Sequence, residues 1–134
     1  MKELKIDAKT ENLDEVLAFM DAELEACDCP MKAQMALDIA VEEIFVNIAH
    51  YAYGEEGAGG AVLQFDISLE QAVVTFVDEG MPYDPLAKED PDITLSAEDR
   101  PIGGLGIFMV KKSMDDVKYK NEDGKNILTI TKKF

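Results

Sequence analysis

The sequence predicts an α+β fold, a two-layer sandwich in which helices cover one face of a mixed or antiparallel sheet of about five strands. Three observations lead to this class. Strand-like and helix-like segments are grouped along the chain rather than alternating, which disfavours a parallel βαβ sheet. One helical segment is apolar on more than one side, as expected of a helix packed inside a domain. The length of 134 residues and the 47% hydrophobic content suit a single domain, residues 1–134.

One strand and two helices are predicted in the first part of the chain. Residues 2–8 alternate polar and apolar side chains, which is typical of a strand. Apolar residues then recur at three- and four-residue steps across residues 13–27 and predict an amphipathic helix. The opposite face of this helix is acidic, and either it is solvated or it binds a partner. Pro30 suits the first turn of a second helix, predicted over residues 31–51 or 31–53.

The next segments predict two paired strands and a long loop. The β-rich runs 61–69 and 72–78 are separated by a short polar connection, so we expect an antiparallel pair. Residues 87–102 are acidic and lack apolar periodicity. Long irregular loops in compact domains are often functional, so this stretch is a candidate lid.

A third helix and a β-hairpin complete the chain. The helix is predicted over residues 105–114, and alternating side chains predict strands at 116–120 and 126–132. Asp123-Gly124 lies between these strands and is a strong signal for a two-residue hairpin turn.

Composition excludes several classes of function. The formal charge of −15 disfavours a basic surface, so we expect no direct contact with nucleic acid. The amino terminus lacks the apolar region of a signal peptide, and no apolar run approaches the roughly 20 residues of a membrane span. We therefore expect a cytoplasmic protein without membrane contact. Cys27 and Cys29 are too close for an ordinary disulfide and predict free thiols.

A glycine run, Gly103-Gly104-Leu105-Gly106-Ile107, opens the predicted third helix. Glycine lets the backbone come close to a ligand. The first turn of a helix offers unpaired N–H groups and the positive end of the helix dipole, which together favour an anion, usually phosphate. An ordinary turn or helix start accounts for the same pattern equally well.

The second helix carries Glu43, Asn47 and His50 within a mostly apolar segment. Glu43 and Asn47 are four residues apart and therefore share one helical face. A carboxylate beside an amide oxygen suits Mg²⁺, and the carboxylate can also act as a general base. Such side chains on a helix are ordinarily just solvated, but polar groups in so apolar a helix need a reason.

Asp78 follows an apolar strand and precedes Gly80 by two residues. A carboxylate in this position can accept a hydrogen bond from an exocyclic amine such as that of adenine, and a nearby glycine would let the base approach the backbone. The alternative is an Asp that only forms the turn.

The three motifs together resemble a known superfamily. The order Glu-x-x-x-Asn in a helix, Asp-x-Gly after a strand and Gly-x-Gly opening a helix resembles the N, G1 and G2 boxes of the GHKL ATPases, which bind ATP in a Bergerat-type α/β sandwich. Segments 41–53, 78–85 and 103–107, with 114–117, are most similar to the bacterial anti-sigma-factor serine/threonine kinases. The resemblance covers nearly the whole chain.

The resemblance implies a role for each motif. Glu43 would be the catalytic carboxylate, and Asn47 would ligate the Mg²⁺ that bridges the phosphates. Asp78 would hold the adenine amine, with Gly80 beneath the base. Segment 87–102 would be the ATP lid. The other cofactor-binding residues that it implies are Pro82, Gly103, Gly104, Leu105, Gly106 and Ile107.

The implied function is a serine/threonine protein kinase that binds ATP (or ADP) and Mg²⁺. Such a protein phosphorylates a small anti-sigma-factor antagonist, sequesters a sigma factor and forms a homodimer. The phosphoacceptor helix and sensor segment of a histidine kinase are not recognisable, which argues against that activity. The alternative from another class is a non-catalytic nucleotide-binding module that only sequesters a partner protein, and a third is a degenerate domain that no longer binds nucleotide.

Overall fold

The computed structural model describes residues 1–52, 59–82, 84–87 and 105–134. The described part confirms the predicted α+β class, with three helices and one five-stranded sheet. Short 3₁₀ turns occur at Thr10–Asn12 and Pro85–Ala87. The strands and α-helices, in chain order, are β1 (Lys2–Asp7), α1 (Leu13–Ala26), α2 (Met31–Tyr51), β2 (Gly60–Ile67), β3 (Gln71–Asp78), α3 (Leu105–Ser113), β4 (Asp116–Glu122) and β5 (Lys125–Lys133).

The sheet has the order β1-β2-β3-β5-β4, and every neighbouring pair is antiparallel. The sheet, which was predicted to be mixed or antiparallel, is therefore fully antiparallel. Burial alternates strictly along the central strand β3, where Ala72, Val74, Phe76 and Asp78 are the buried residues. This alternation means that one face of the sheet packs on the helices.

The turn between β4 and β5 sets the register of the final hairpin. Asp123 and Gly124 have φ angles of 54° and 77°, and positive φ at both central residues is the property of a type I′ hairpin turn. The predicted hairpin is thus confirmed. The separate pairing of β5 with β3 places Asn126 directly opposite Asp78.

The core lies between the helices and the inner face of the sheet. Helix α2 buries one side completely, and α1 packs beside it through a stripe with four-residue spacing. Burying each large apolar side chain contributes about 1.5 to 3 kcal/mol. The fully buried side chains include Val16, Met20 and Leu24 of α1, Leu37, Val41 and Phe45 of α2, and Phe65 and Phe76 of the sheet.

Two details of the helices differ from the sequence-based expectation. The apolar content of α2 on more than one side predicted that the helix lies inside the domain, yet Met35 and Ile39 are 56% and 60% exposed. The prediction was wrong for this side because α2 has the sheet on one face only. Pro30 immediately precedes the helix instead of occupying its first turn. Cys27 and Cys29 are free thiols, as predicted.

None of the helices in the described part of the chain combines the length and the apolarity that crossing a membrane requires.

A pair of carboxyl groups connects α1 to α2. Oδ1 of Asp21 and Oδ1 of Asp38 are both shielded from solvent and lack a hydrogen-bond partner among the described residues. Two carboxylates repel each other, whereas a proton on one of them lets the two groups share a hydrogen bond. Burial, together with the neighbouring Asp21, raises the pKa of Asp38 to about 7. Asp21, which belongs to the acidic face predicted for α1, is therefore an interhelical contact rather than a solvated side chain.

This pair predicts that stability falls as pH rises through about 7. Between about pH 4 and 7 the folded state keeps a proton that the unfolded chain releases, so raising the pH favours unfolding. We expect Asp38→Asn to exceed the wild type in free energy of unfolding at pH 8 by about 1 kcal/mol, a figure lowered for solvent screening. At pH 5 the two proteins should be nearly equal.

Urea titrations across this pH range measure the difference. Asp14→Asn, which changes an exposed carboxylate of α1, is the matched control and should parallel the wild type. If the free energy of unfolding of the wild type varied with pH in the same way as that of Asp38→Asn, Asp21 and Asp38 would not share a proton.

Candidate functional site

A small cavity of about 40 Å³ opens between α2 and the inner face of the sheet. Its lining is mostly apolar with a few placed polar groups, a composition typical of small-molecule pockets. Helix α3 contributes Ile107, a buried residue that the sequence predicted as a site residue. Among the lining residues, α2 supplies Ile44, Asn47 and Ile48, β3 supplies Phe76, and β5 supplies Asn126 and Leu128.

Helix α2 places the predicted catalytic and metal-binding side chains on one edge. Glu43 and Asn47 are both half-buried, and Asn47 lines the cavity. Glu42, the adjacent carboxylate, is exposed, as is His50. The structure thus separates Glu43 from Glu42 as the helical period of 100° per residue requires.

Gly106, in the first turn of α3, packs against Glu43. A Cβ atom at position 106 would lie 2.1 Å from both Cδ and Oε1 of Glu43, so a residue with a side chain cannot occupy this position with Glu43 where it is. The unpaired N–H groups and positive dipole end of a helix favour negative charge. The carboxylate that the sequence assigned to catalysis therefore lies at the end of α3 that the sequence assigned to phosphate.

Gly80 allows the end of β3 to touch the end of α2. A Cβ atom at position 80 would lie 2.1 Å from the backbone oxygen of Ala52. The next residue, Met81, donates its N–H to the same oxygen at 2.7 Å. The close approach at Gly80 is thus to the protein's own backbone, and it fixes the separation between Asp78 and the α2 edge.

Asp78 is buried, with 6% of its surface exposed, and contacts Asn126, a residue that lines the cavity. Its Oδ1 accepts the N–H of Gly80 at 3.0 Å and the Nδ2–H of Asn126 at 2.9 Å. Both hydrogen bonds from these described neighbours end on Oδ1. Neither of these two bonds engages Oδ2.

Asn126 is a site residue that the sequence did not reveal. Its Nδ2 donates to Oδ1 of Asp78 and, at 3.0 Å, to the carbonyl of Met81. Its Oδ1 accepts from the hydroxyl of Tyr119 and from Nδ2 of Asn121. The hairpin signal fixed its place along β5, but only the pairing of β5 with β3 brings it to Asp78, and no local pattern predicts that pairing.

The other predicted residues fall in two groups. Leu105 begins α3, and Pro82 is exposed, whereas Met81 beside it lines the cavity. Gly103 and Gly104 lie outside the described residues, as does the predicted lid apart from residue 87.

The donor set fits Mg²⁺ only in combination with a ligand. Within the described ranges, no group of three or more His, Cys, Asp or Glu side chains could hold a metal ion. Magnesium that arrives with phosphates needs just one or two protein ligands. The amide oxygen of Asn47, with the Glu43 carboxylate one turn away, meets that requirement.

The two glycine contacts predict different outcomes for the same substitution. Gly80→Ala would force Cβ into the backbone of Ala52, so we expect a loss of about 2 kcal/mol or more in the free energy of unfolding. Gly106→Ala meets only the mobile end of Glu43, and alanine is the better helix former, so we expect a change below about 1 kcal/mol. Gly60→Ala, where Cβ would lie 3.5 Å from the nearest atom, is the control. Equal losses in the free energy of unfolding for all three alanine variants would contradict the two contacts.

The Asn126 network predicts a second stability difference. Asn126→Ala removes one of the two donors to the buried Asp78 carboxylate and the Nδ2–H that the Met81 carbonyl accepts, and we expect a loss of about 1 to 3 kcal/mol in the free energy of unfolding. Asn121→Ala, at an exposed position that donates to Asn126, should cost less than about 0.5 kcal/mol. Chemical denaturation of the two variants and the wild type tests this, and similar losses at both positions would refute the network.

Comparison with known proteins extends the account beyond geometry. The chain matches the family model described as "Histidine kinase-like ATPase domain" over residues 6–132. The serine-protein kinase RsbW of Listeria monocytogenes serovar 1/2a is 30% identical over 96 residues, which are 69% of this chain and 61% of that protein. The same-named protein of Oceanobacillus iheyensis is 25% identical over 131 residues, covering 94% of this chain and 82% of that protein. The match to the Listeria relative thus spans about three fifths of its length.

Solved structures show the same fold. The structure of the RsbU and RsbW domains of Rv1364c from Mycobacterium tuberculosis aligns with a TM-score of 0.67 at 14% identity, covering 98% of this chain and 32% of that one. A catalytic domain of the histidine kinase ThkA aligns with a TM-score of 0.53 at 14% identity, covering 99% and 97%. The antiparallel fold, the family match and the relatives named RsbW confirm the resemblance seen in the sequence, and the chain belongs to the histidine kinase-like ATPase domain family.

Proposed function

We propose that this chain is an ATP- and Mg²⁺-dependent serine/threonine protein kinase of the anti-sigma-factor type. It phosphorylates a small antagonist protein, sequesters a sigma factor and forms a homodimer in the cytoplasm. The observation that carries the proposal is the contact between Glu43 and Gly106. It brings a half-buried carboxylate to the first turn of a helix that suits phosphate, beside a mostly apolar cavity that Asn47 also lines.

The adenine half of the proposal rests on Asp78. Asn126 and the N–H of Gly80 both bind Oδ1, so the carboxylate is held in one orientation with Oδ2 as the remaining acceptor. An exocyclic amine donates to such an oxygen, whereas a carbonyl at the same position of the base would face it as a second acceptor. The site therefore favours adenine over guanine. Apolar side chains such as Ile48 and Phe76 supply the walls.

The phosphate half rests on α3 and Asn47. The backbone N–H groups of Leu105 and Ile107, in the first turn of α3, would face the phosphates. Asn47 would hold Mg²⁺, which when bound neutralises charge on the transferred phosphate. The chain itself carries 13 Lys and Arg against 28 Asp and Glu. Binding should consequently depend strongly on the divalent ion.

Glu43 would act as the general base. Its carboxylate accepts the proton of a serine hydroxyl while the serine oxygen bonds to the γ-phosphorus and the bond from that phosphorus to the β–γ bridging oxygen breaks. Positioned bases of this kind contribute about 10²- to 10⁴-fold to rate. The protein substrate and the sigma factor enter the proposal through the resemblance, and the relatives named serine-protein kinase support it.

Removing the base should separate catalysis from binding. We expect Glu43→Gln to lower phosphate transfer from radiolabelled Mg-ATP to a purified antagonist protein by about 100-fold or more. ATP affinity should stay within about threefold, because the amide preserves the shape of the side chain. Glu42→Gln, at the exposed neighbouring position, is the matched control and should keep full activity.

Two outcomes would contradict the kinase assignment. If Glu43→Gln transferred phosphate as fast as the wild type, Glu43 would not be the general base. Tight ATP binding without transfer by the wild type would favour a nucleotide-binding module that only sequesters its partner.

A further inference from the structure

Helix α2 carries an exposed apolar stripe on its outer face. Met31, Met35 and Ile39, hereafter the methionine stripe, are 69%, 56% and 60% exposed. They are spaced at i, i+4 and i+8, so they form one continuous line along two turns, about 12 Å long. The opposite face of α2 forms the core. The outer face of a helix in a two-layer domain is ordinarily polar, and a contiguous apolar patch marks an interaction site.

The helical segment that carries this stripe is rich in acidic residues. Residues 13–51, which span α1, the connecting turn and α2, contain nine Asp or Glu, and Lys32 is the one Lys or Arg among them. The other 12 of the chain's 13 cations therefore lie elsewhere in the sequence. Glu42, Glu25 and Asp28 are all exposed in this segment. The helical layer thus combines an exposed apolar line with an excess of acidic residues.

We propose that the methionine stripe binds a partner protein through an amphipathic helix whose apolar face is bordered by Lys and Arg. A straight line of anchors over two turns matches the way an amphipathic helix presents its side chains at i, i+3, i+4 and i+7. Methionine side chains adapt to the shape of an apolar partner. Acidic and basic borders pair across such an interface and speed association.

A second copy of this chain is the less suitable occupant. Two copies meeting at the stripe would bring together two segments that each carry nine acidic residues and one basic residue. Like charges across an interface cost several kcal/mol. The homodimer of the proposed function would therefore use another surface.

The stripe leads towards the proposed catalytic carboxylate. Ile39 and Glu43 are four residues apart on α2, so a helix seated on the stripe would lie within about one turn, 5.4 Å, of Glu43. This last step rests on the proposed kinase function, because it makes the stripe a means of presenting a protein substrate. Partner binding itself does not depend on it.

A designed peptide tests the surface directly. The probe is a fluorescein-labelled amphipathic peptide of about 18 residues, long enough to form a helix, with Leu on one face and Lys on the other. The control peptide has Glu in place of every Lys. Fluorescence anisotropy should show that this chain binds the Lys peptide at low salt and not the Glu peptide. Affinity should fall as NaCl rises from about 50 to about 500 mM.

Two variants locate the binding. The double variant Met35→Gln, Ile39→Gln keeps the net charge and should weaken Lys-peptide binding by about tenfold or more, equivalent to about 1.4 kcal/mol. Leu69→Gln is the matched control, because Leu69 is 75% exposed in the turn between β2 and β3. It should bind like the wild type. All three positions are exposed, and circular dichroism should show an unchanged fold.

Three results would overturn the proposal. The first is equal affinity for the Lys and Glu peptides, and the second is unchanged Lys-peptide affinity in the double variant. The third is self-association in sedimentation that the double variant abolishes, since it would make the stripe a contact between copies. Peptide binding needs no nucleotide, so a failed proposal here is distinguishable from a failed kinase assignment, which ATP binding and phosphate transfer report separately.

Discussion

The site depends on one hydrogen-bonded junction at the end of β3. Burying the carboxyl group of Asp78 is costly unless donors compensate it. Asn126 and the N–H of Gly80 supply them at 2.9 and 3.0 Å. Met81 then donates to Ala52. These bonds tie β3 to β5 on one side and to the end of α2 on the other. The bond from Met81 to Ala52 joins two backbone groups. The distance between the end of β3 and the end of α2 therefore does not depend on flexible side chains.

Helix α2 serves the core, the site and the surface with different faces. Leu37 and Val41 lie in the core. Glu43 and Asn47 occupy an edge that meets α3, and Met35 and Ile39 point outward. A helix of 21 residues has almost six turns, so the stripe and the site residues follow one another at four-residue steps along one side while the core residues lie on the other. A change in the packing of α2 would therefore be felt at the nucleotide site and at the methionine stripe together.

Local patterns predicted the elements well, because their causes are local. The period of apolar residues identified α1 and α2, and Asp123-Gly124 fixed the final hairpin. The four-residue spacing of Glu43 and Asn47 placed both on one edge.

Features that depend on how elements meet were not predictable in this way. Asn126 reaches Asp78 only because β5 pairs with β3. Gly80 must be glycine because of Ala52, 28 positions earlier. Asp21 and Asp38 form a pair only because α1 packs on α2 with these two side chains on the facing sides. The exposure of Met35 could not be inferred from the composition of α2, since nothing local shows how many of its faces are covered.

Isothermal titration of the wild-type chain with Mg-ATP and Mg-GTP tests the central claim most directly, namely that the region formed by the cavity and the neighbouring Asp78 is an adenine-nucleotide site. We predict saturable Mg-ATP binding with a Kd below about 1 mM and binding of Mg-GTP at least about tenfold weaker. Equal affinity for the two nucleotides, or no heat of binding with Mg-ATP at several times that concentration, would contradict it.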